Sequence, residues 1–248
     1  MRKLLIAIQF LTILPIGPKA PVTEKDLAQA PFYFPVVGLL IGLILTGINQ
    51  LLSLFINEPL LINTLLISAL VILTGGLHLD GLADTFDALL SRKSKTEMLA
   101  IMRDSQIGTM GALSLIIIIL LKITMLSALP LELKNTALVL MGIISRYVIV
   151  LPMLRLPYAR TEGKAKAFID GMNPRFLATS SIITLLLVFI AGQLCGIITL
   201  SLVSILVIIT STFFARRFEG ITGDVLGALA EMSEVYILFI ILLLSFLR

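Results

Sequence analysis

The chain has 248 residues and a mass of 27.0 kDa, with 58% hydrophobic residues, only 14% charged residues and a mean hydropathy of +1.08. Soluble domains carry about 25% charged residues, so this composition excludes a disordered chain and an ordinary soluble enzyme. The single cysteine, Cys195, excludes an internal disulfide scaffold. We therefore expect one all-α, polytopic membrane domain over residues 1–248, whose net charge of +4 matters less than where the charges lie.

Apolar runs define the predicted spans, because a helix needs about 20 residues to cross roughly 30 Å of hydrocarbon. We expect about seven transmembrane helices, at 34–56, 60–77, 110–131, 136–154, 177–195, 196–214 and 235–247. The last run is short, and Cys195-Gly196 predicts a tight hairpin between two spans. A further apolar segment, 4–16, has a basic start that would suit a signal peptide. Since no small-residue cleavage site follows cleanly, we expect an N-terminal interfacial or re-entrant helix instead.

One side of the membrane receives nearly all the basic residues. The segments on that side contain 15 Lys and Arg against 2 on the other side, and they are 1–33, 78–109, 155–176 and 215–234. This bias predicts a multi-pass cell-membrane protein whose long loops are cytoplasmic. Thirteen of the fifteen acidic residues lie on the same side. A transporter needs polar groups along a path through the bilayer, so this distribution favours an enzyme with a cytoplasmic active face.

The acidic stretch after the second span is the most informative. Asp80, Asp84 and Asp87 are spaced i, i+4 and i+7, which places them within about 60° on one helix face. Three carboxylates repel one another there unless a cation compensates, and hard oxygen ligands suit Mg²⁺, Mn²⁺ or Ca²⁺. A solvated acidic face is the alternative, weakened by the apolar residues between the aspartates. His78, the sole histidine, is a candidate general base or phosphate contact, although a histidine at a helix start is often structural.

A second motif, 102–111, leads into the third span. Arg103 and Asp104 form either an ion pair at the interface or part of the site. Gly108 and Thr109 stand where a helix is predicted to begin, so backbone N–H groups there are accessible to a phosphate. Alone, this motif is not specific.

A third acidic site lies at 219–231. Asp224 and Glu231 are seven residues apart and share a helix face, and the glycines between them allow close packing. A helix-packing glycine pattern with a solvated rim is the alternative. Because the motif lies on the same membrane face as the aspartates, we expect a shared site.

Basic residues are candidates for phosphate contacts. Arg146 lies inside the fourth span, where a charge is costly and usually functional, and Lys122 is a similar outlier in the third. Five basic residues crowd one loop, where they serve as an orientation signal and lipid contacts or receive a pyrophosphate; they are Arg155, Arg160, Lys164, Lys166 and Arg175. The residues alone indicate metal-dependent phosphate chemistry. They leave open an alcohol phosphotransferase, a prenyltransferase using diphosphate leaving groups, and a cation-coupled transporter.

Several motifs occur in one order along most of the chain. The most specific is Gly76-Leu77-His78-Leu79-Asp80-Gly81-Leu82-Ala83-Asp84, followed by Asp87. The others are Phe10-Leu11-Thr12 with Pro15, Phe34-Pro35-Val36-Val37-Gly38 with Gly42, Arg103-Asp104-Ser105, Ile107-Gly108-Thr109 with Gly111, Ser145-Arg146, and Thr222-Gly223-Asp224 with Gly227-Ala228 and Glu231. In these motifs the chain resembles the cobalamin 5′-phosphate synthase (adenosylcobinamide-GDP ribazoletransferase) family. Ile13 departs from the pattern, since family members often have an arginine in that segment.

The resemblance implies the nucleotide-loop stage of cobalamin biosynthesis. The adenosylcobinamide phosphate of adenosylcobinamide-GDP would pass to a ribose hydroxyl of α-ribazole or its 5′-phosphate, giving adenosylcobalamin or its 5′-phosphate and GMP. Mg²⁺ would be the cofactor. These small molecules and the lipid bilayer would be the partners, with no nucleic acid, and a homo-oligomer is compatible with the sequence.

The resemblance also suggests residue roles. Asp80 and Asp84 would be the principal metal ligands, and Asp87 a third ligand or the base that accepts the ribose proton. Asp104 and Asp224 would complete the metal site or hold the attacking hydroxyl. Phosphate contacts would come from Arg103, Arg146 and Lys164. A CDP-alcohol-type lipid phosphotransferase is the alternative, since that family shares the opening Asp80-Gly81-Leu82-Ala83; its pattern continues with Arg where this chain has Asp84.

Overall fold

A computed structural model describes residues 2–18, 21–163 and 165–247, so that Lys164 lies outside the described residues. Within these ranges the chain is helical and contains no β-strand, apart from one isolated parallel bridge between Tyr158 and Ile221. A 3₁₀ turn occupies Ala30–Tyr33. The α-helices are Arg2–Leu11 (α1), Glu24–Gln29 (α2), Phe34–Ser53 (α3), Pro59–Thr74 (α4), Leu77–Leu90 (α5), Lys95–Ile101 (α6), Thr109–Ala128 (α7), Leu131–Val148 (α8), Val150–Arg155 (α9), Lys166–Asp170 (α10), Pro174–Phe218 (α11) and Gly223–Ser245 (α12).

Length and composition identify the helices that can cross a membrane. Five continuous helical stretches in the described ranges pass this test, and a sixth is added if the bent pair α4–α5 is counted. The five contain α3, α7, α8, α11 and α12. This confirms the all-α polytopic prediction, while the number seven stays a prediction. At ten residues, or about 15 Å, α1 is too short to cross the hydrocarbon.

The 45-residue helix α11 is two helical segments joined at Gln193, whose φ of 48° and ψ of −134° are not helical. A Cβ atom on Gly196 would lie 2.6 Å from the carbonyl oxygen of Val188. A straight helix separates residues eight apart by about 12 Å, so the chain must reverse direction here. The reversal lies two residues before the Cys195-Gly196 junction predicted from the sequence.

Helices α8 and α12 form the centre of the bundle, and most of their residues are buried. Helix α3 crosses α8 where two glycines meet, because a Cβ on Gly38 would overlap the carbonyl of Gly142. Small residues let membrane helices approach this closely. The remaining long helices surround this pair and expose apolar side chains, as lipid-facing helices do.

The end of the chain corrects one predicted boundary. Residues 215–234 were assigned to a cytoplasmic segment and the last span to 235–247. In the structure α11 continues to Phe218, and α12 already begins at Gly223. The acidic residues of α12 lowered the local hydropathy and concealed the first half of this helix.

Candidate active site

Two glycines orient the acidic helix. Gly75 ends α4 and Gly76 precedes α5, with φ values of 62° and 67°, a backbone region that favours glycine. Together they bend the chain by 91° between α4 and α5. Helix α5 is therefore not one of the five long apolar stretches, and its first turns, which carry Asp80 and Asp84, lie against the start of α12.

Close packing joins α5 to the N-terminal turns of α12. A Cβ on Gly81 would lie 2.7 Å from the carbonyl oxygen of Asp224, and one on Gly227 would lie 3.2 Å from that of His78. Only glycine permits the first of these approaches. The contact brings Asp224 next to α5, although about 140 residues separate the two segments in sequence.

A cavity of about 1010 Å³ opens at this junction. Six of the predicted site residues line it, and they are His78, Asp80, Asp84, Arg103, Asp104 and Asp224. Ser105, Tyr158 and Arg160 add further polar atoms, and an apolar portion is lined by Phe10, Phe34, Leu115, Ile149, Met153 and Phe168. Ligand cavities commonly measure about 300–1,000 Å³, so this one is large enough for a bulky substrate.

Among the described residues that line the cavity, carboxylates outnumber cations. Neither Asp80 nor Asp84 forms a salt bridge within the described residues. Burial and the neighbouring carboxylates of Asp80 and Asp224 raise the pKa of Asp84 to about 7. Excess negative charge of this kind is stabilised by a bound cation.

Arg160 supplies the positive charge nearest to Asp224. Its Nη2 donates to Asp224 Oδ2 at 2.7 Å. The loop that carries it is fixed by backbone hydrogen bonds of 2.9 Å from Ala159 N to Ile221 O and from Ile221 N to Pro157 O. In the sequence Arg160 is one of five basic residues of the same segment and does not differ from its neighbours. No spacing signal marks it, because the bridge to residue 221 is a tertiary contact.

Asp87 faces the start of α7 instead of the cavity. Its Oδ2 accepts from Gly108 N and its Oδ1 from Gly111 N, each at 2.7 Å. This carboxylate therefore occupies the helix N-terminus that we expected to receive a phosphate through Gly108 and Thr109. None of these four residues lines the cavity.

Arg146 is buried in a network of charges inside the bundle. Its guanidinium donates to Glu234, which also accepts from Lys122, and Lys122 Nζ lies 2.5 Å from Glu231. Arg146 is 1% exposed and does not line the cavity, so the structure does not place it where a substrate phosphate would bind. Glu231 is likewise separated from the site that we expected it to share with Asp224.

His78 lies between the cavity and this network. Its side chain is buried, and Nε2 has no hydrogen-bond partner among the described residues. Burial, assisted by the nearby Arg146 guanidinium, lowers the pKa of His78 to about 3, so the imidazole is neutral.

The cavity offers two unpaired carboxylates as donors for Mg²⁺. No three carboxylate, histidine or cysteine side chains converge closely enough to hold a metal ion within the described part of the chain. Mg²⁺ commonly takes one or two carboxylates and completes its shell with water and substrate phosphates. The unpaired Asp80 and Asp84, one helical turn apart on the wall of the cavity, fit that pattern.

Comparisons with known proteins agree with the sequence motifs. The profile of the family described as cobalamin-5-phosphate synthase matches residues 3–242. Curated relatives named adenosylcobinamide-GDP ribazoletransferase include those of Roseiflexus sp. (39% identity, 92% of this chain and 85% of the relative) and Acetivibrio thermocellus (37% identity, 97% of each chain). The relative from Fusobacterium nucleatum carries the same name and is 34% identical over 98% of each chain. No solved structure matches the chain.

Proposed function

The chain belongs to the cobalamin-5-phosphate synthase family, and we propose that it is an adenosylcobinamide-GDP ribazoletransferase, the activity for which its curated relatives are named. The observation that carries this proposal is the large cavity lined by the unpaired Asp80 and Asp84 and by the Asp224–Arg160 pair. The lipid phosphotransferase alternative is not favoured, because the family match extends over nearly the whole chain.

The proposed reaction replaces the phosphoanhydride bond to GMP with a phosphate ester bond to the ribose. A ribose hydroxyl oxygen of α-ribazole, or of its 5′-phosphate, forms a bond to the phosphorus that carries cobinamide. The bond from that phosphorus to the bridging oxygen of the pyrophosphate breaks, and GMP leaves with the electron pair. The hydroxyl proton passes to a base, so the products are the cobalamin phosphodiester and GMP.

Asp80 and Asp84 are the proposed metal ligands, because they line the cavity without a cation of their own. Mg²⁺ bound there would neutralise the pyrophosphate and stabilise the departing phosphate oxygen. Asp104, exposed at the edge of the cavity, is the proposed acceptor of the ribose proton. Arg103 lies beside it and is a proposed phosphate contact. His78 offers a neutral imidazole for hydrogen bonding to substrate.

The site is proposed to face the cytoplasm. Arg103 and Arg160 belong to the loops that carry the excess of basic residues, and such loops are retained on the cytoplasmic side. The apolar portion of the cavity, which includes Phe10 and Phe168, would cover the nonpolar parts of a large amphiphilic substrate. This arrangement supports entry of both substrates from the cytoplasmic surface.

The test is product formation by purified protein in detergent or liposomes. Adenosylcobinamide-GDP, Mg²⁺ and either α-ribazole or its 5′-phosphate are supplied, and GMP and the corrinoid product are measured together. We expect GMP and the cobalamin product to form in equal amounts, and we expect EDTA to abolish the formation of both. Protein that is folded and releases no GMP with either acceptor would contradict the proposed activity, and GMP without a cobalamin product would indicate hydrolysis.

A further inference from the structure

Arg160 is held at the cavity with part of its hydrogen-bonding capacity unused. The side chain is 11% exposed, and Nη2 donates to Asp224. The Nε atom is buried and has no hydrogen-bond partner among the described residues. A guanidinium carries five N–H donors, and a buried donor without an acceptor costs free energy. The group is therefore suited to a further acceptor that enters the cavity.

A phosphate group is the acceptor that fits this geometry best. The guanidinium fork matches two phosphate oxygens at once, and such charge-assisted bonds are roughly twice as strong as neutral ones. The neighbouring Asp80 and Asp84 leave the cavity negative, so a fixed cation is needed wherever a substrate phosphate lies against the wall of the cavity. Arg160 lines the cavity at a fixed position, because the backbone hydrogen bonds to Ile221 hold its loop in place. A side chain on a flexible surface loop would not have this fixed position.

We propose that Arg160 binds a phosphate group of the substrates, using the N–H donors that Asp224 does not occupy. This inference rests on the proposed function and adds a binding residue to it. Two substrate phosphates have the required chemistry, namely the pyrophosphate of adenosylcobinamide-GDP and the 5′-phosphate of a phosphorylated acceptor.

Arg155 provides a matched control. It belongs to the same basic segment, five residues earlier, but is exposed and does not line the cavity. Arg155→Gln removes the same charge from the same basic segment, at the end of α9, so any general electrostatic effect appears in both variants. If the binding or kinetic constants differ between the two variants, the effect is specific to the position of Arg160 in the cavity.

The experiment measures binding and turnover of Arg160→Gln, Arg160→Lys and Arg155→Gln. Equilibrium dialysis with adenosylcobinamide-GDP alone, followed by corrinoid absorbance, gives the Kd of the donor. The KM values for α-ribazole and for its 5′-phosphate show whether recognition of the acceptor changes. We expect Arg160→Gln to weaken one phosphate ligand by about tenfold or more, Arg160→Lys to weaken it less, and Arg155→Gln to change it by less than about twofold.

The arms identify which phosphate Arg160 binds. A weaker Kd for the donor assigns its pyrophosphate, and a higher KM for α-ribazole 5′-phosphate with no change for α-ribazole assigns the acceptor phosphate. Equal constants for Arg160→Gln and Arg155→Gln in every arm would overturn the inference while leaving the proposed function intact. If Arg160→Gln does not fold, unchanged constants for Arg160→Lys overturn it. A wild-type protein that neither binds nor turns over the donor would contradict the proposed function, and the inference with it.

Discussion

Helix α12 contributes acidic residues to two groups, and the surroundings of the two groups are opposite. Near its start, Asp224 joins Asp80 and Asp84 in the cavity, where Arg160 is the single salt-bridge partner that the described residues provide. Two turns later, Glu231 and Glu234 are buried and contact Lys122 and Arg146. The first group has more carboxylates than cations, whereas the second pairs two carboxylates with two cations.

The difference distinguishes a candidate ligand-binding site from a charge network that stabilises the bundle. A charge inside the bundle is tolerated when an opposite charge contacts it, and removing one partner then exposes the other to an apolar environment. Unpaired carboxylates in an open cavity are instead available to a ligand. The contrast predicts that substitutions in the cavity reduce turnover with little effect on stability, and that substitutions in the buried network do the reverse.

The largest effect is expected for Asp80→Asn and Asp84→Asn. Each removes a proposed metal ligand, so we expect turnover to fall by about a hundredfold or more. The free energy of unfolding should stay the same or rise slightly, because repulsion between carboxylates one turn apart is relieved. GMP release and thermal unfolding in detergent measure the two quantities. Full turnover at limiting Mg²⁺ in either variant would contradict the metal assignment.

The opposite pattern is expected for Glu234→Gln. Lys122 and Arg146 both lose a charged partner inside the bundle, so the variant should lose about 3–5 kcal/mol of stability. Turnover per folded molecule should stay within about tenfold of the wild-type value, since none of these side chains lines the cavity. Glu132→Gln is the control, because Glu132 is exposed. Equal unfolding temperatures for the two variants would show that the network contributes nothing.

A smaller effect on both quantities is expected for Gly81→Ala. The added methyl group would lie 2.7 Å from Asp224 O and push α5 away from α12. We expect a loss of about 1–3 kcal/mol from overpacking, together with a several-fold drop in turnover as the carboxylates separate. Gly47→Ala is the control, because a Cβ there meets nothing within 4 Å. If both variants behave alike in unfolding and turnover, the α5–α12 contact does not position the site.

The smallest effect is expected for Asp87→Ala. The variant leaves the N–H groups of Gly108 and Gly111 without their acceptor, which should cost about 0.5–2 kcal/mol, as for other helix caps. Its turnover should remain well above that of Asp80→Asn. An equally severe loss of turnover with unchanged unfolding would instead support Asp87 as a metal ligand or base.

Helix periodicity and hydropathy predicted much of the fold. Except at the start of α12, the apolar runs identified the long helices to within a few residues, and the i, i+4, i+7 spacing identified the acidic helix. The start of α12 was missed because Glu231 and Glu234 make the sequence look polar. Their cationic partners lie on α7 and α8, and hydropathy within one segment does not report contacts between segments.

The candidate site was predicted in part. The six predicted residues that line the cavity lie in the acidic stretch after the second span and in the motifs at 102–111 and 219–231. The environments of Asp87 and Arg146 depend on which helix is adjacent, and a single sequence does not reveal that. The sequence does not single out Arg160 either, because its contact with Asp224 is likewise a contact between distant segments. The roles of all these residues, the cytoplasmic orientation, Mg²⁺ and a homo-oligomer remain predictions.

The most direct test of the contrast is the Mg²⁺ dependence of the initial rate in three variants. Wild type, Asp84→Asn and Glu231→Gln are compared with saturating adenosylcobinamide-GDP and acceptor over a range of free Mg²⁺. We predict that Asp84→Asn raises the half-saturating Mg²⁺ concentration by about tenfold or more, whereas Glu231→Gln leaves it unchanged and lowers the unfolding temperature. Identical Mg²⁺ curves for all three proteins, or undiminished transfer in EDTA, would contradict the assignment of the cavity carboxylates as a metal site.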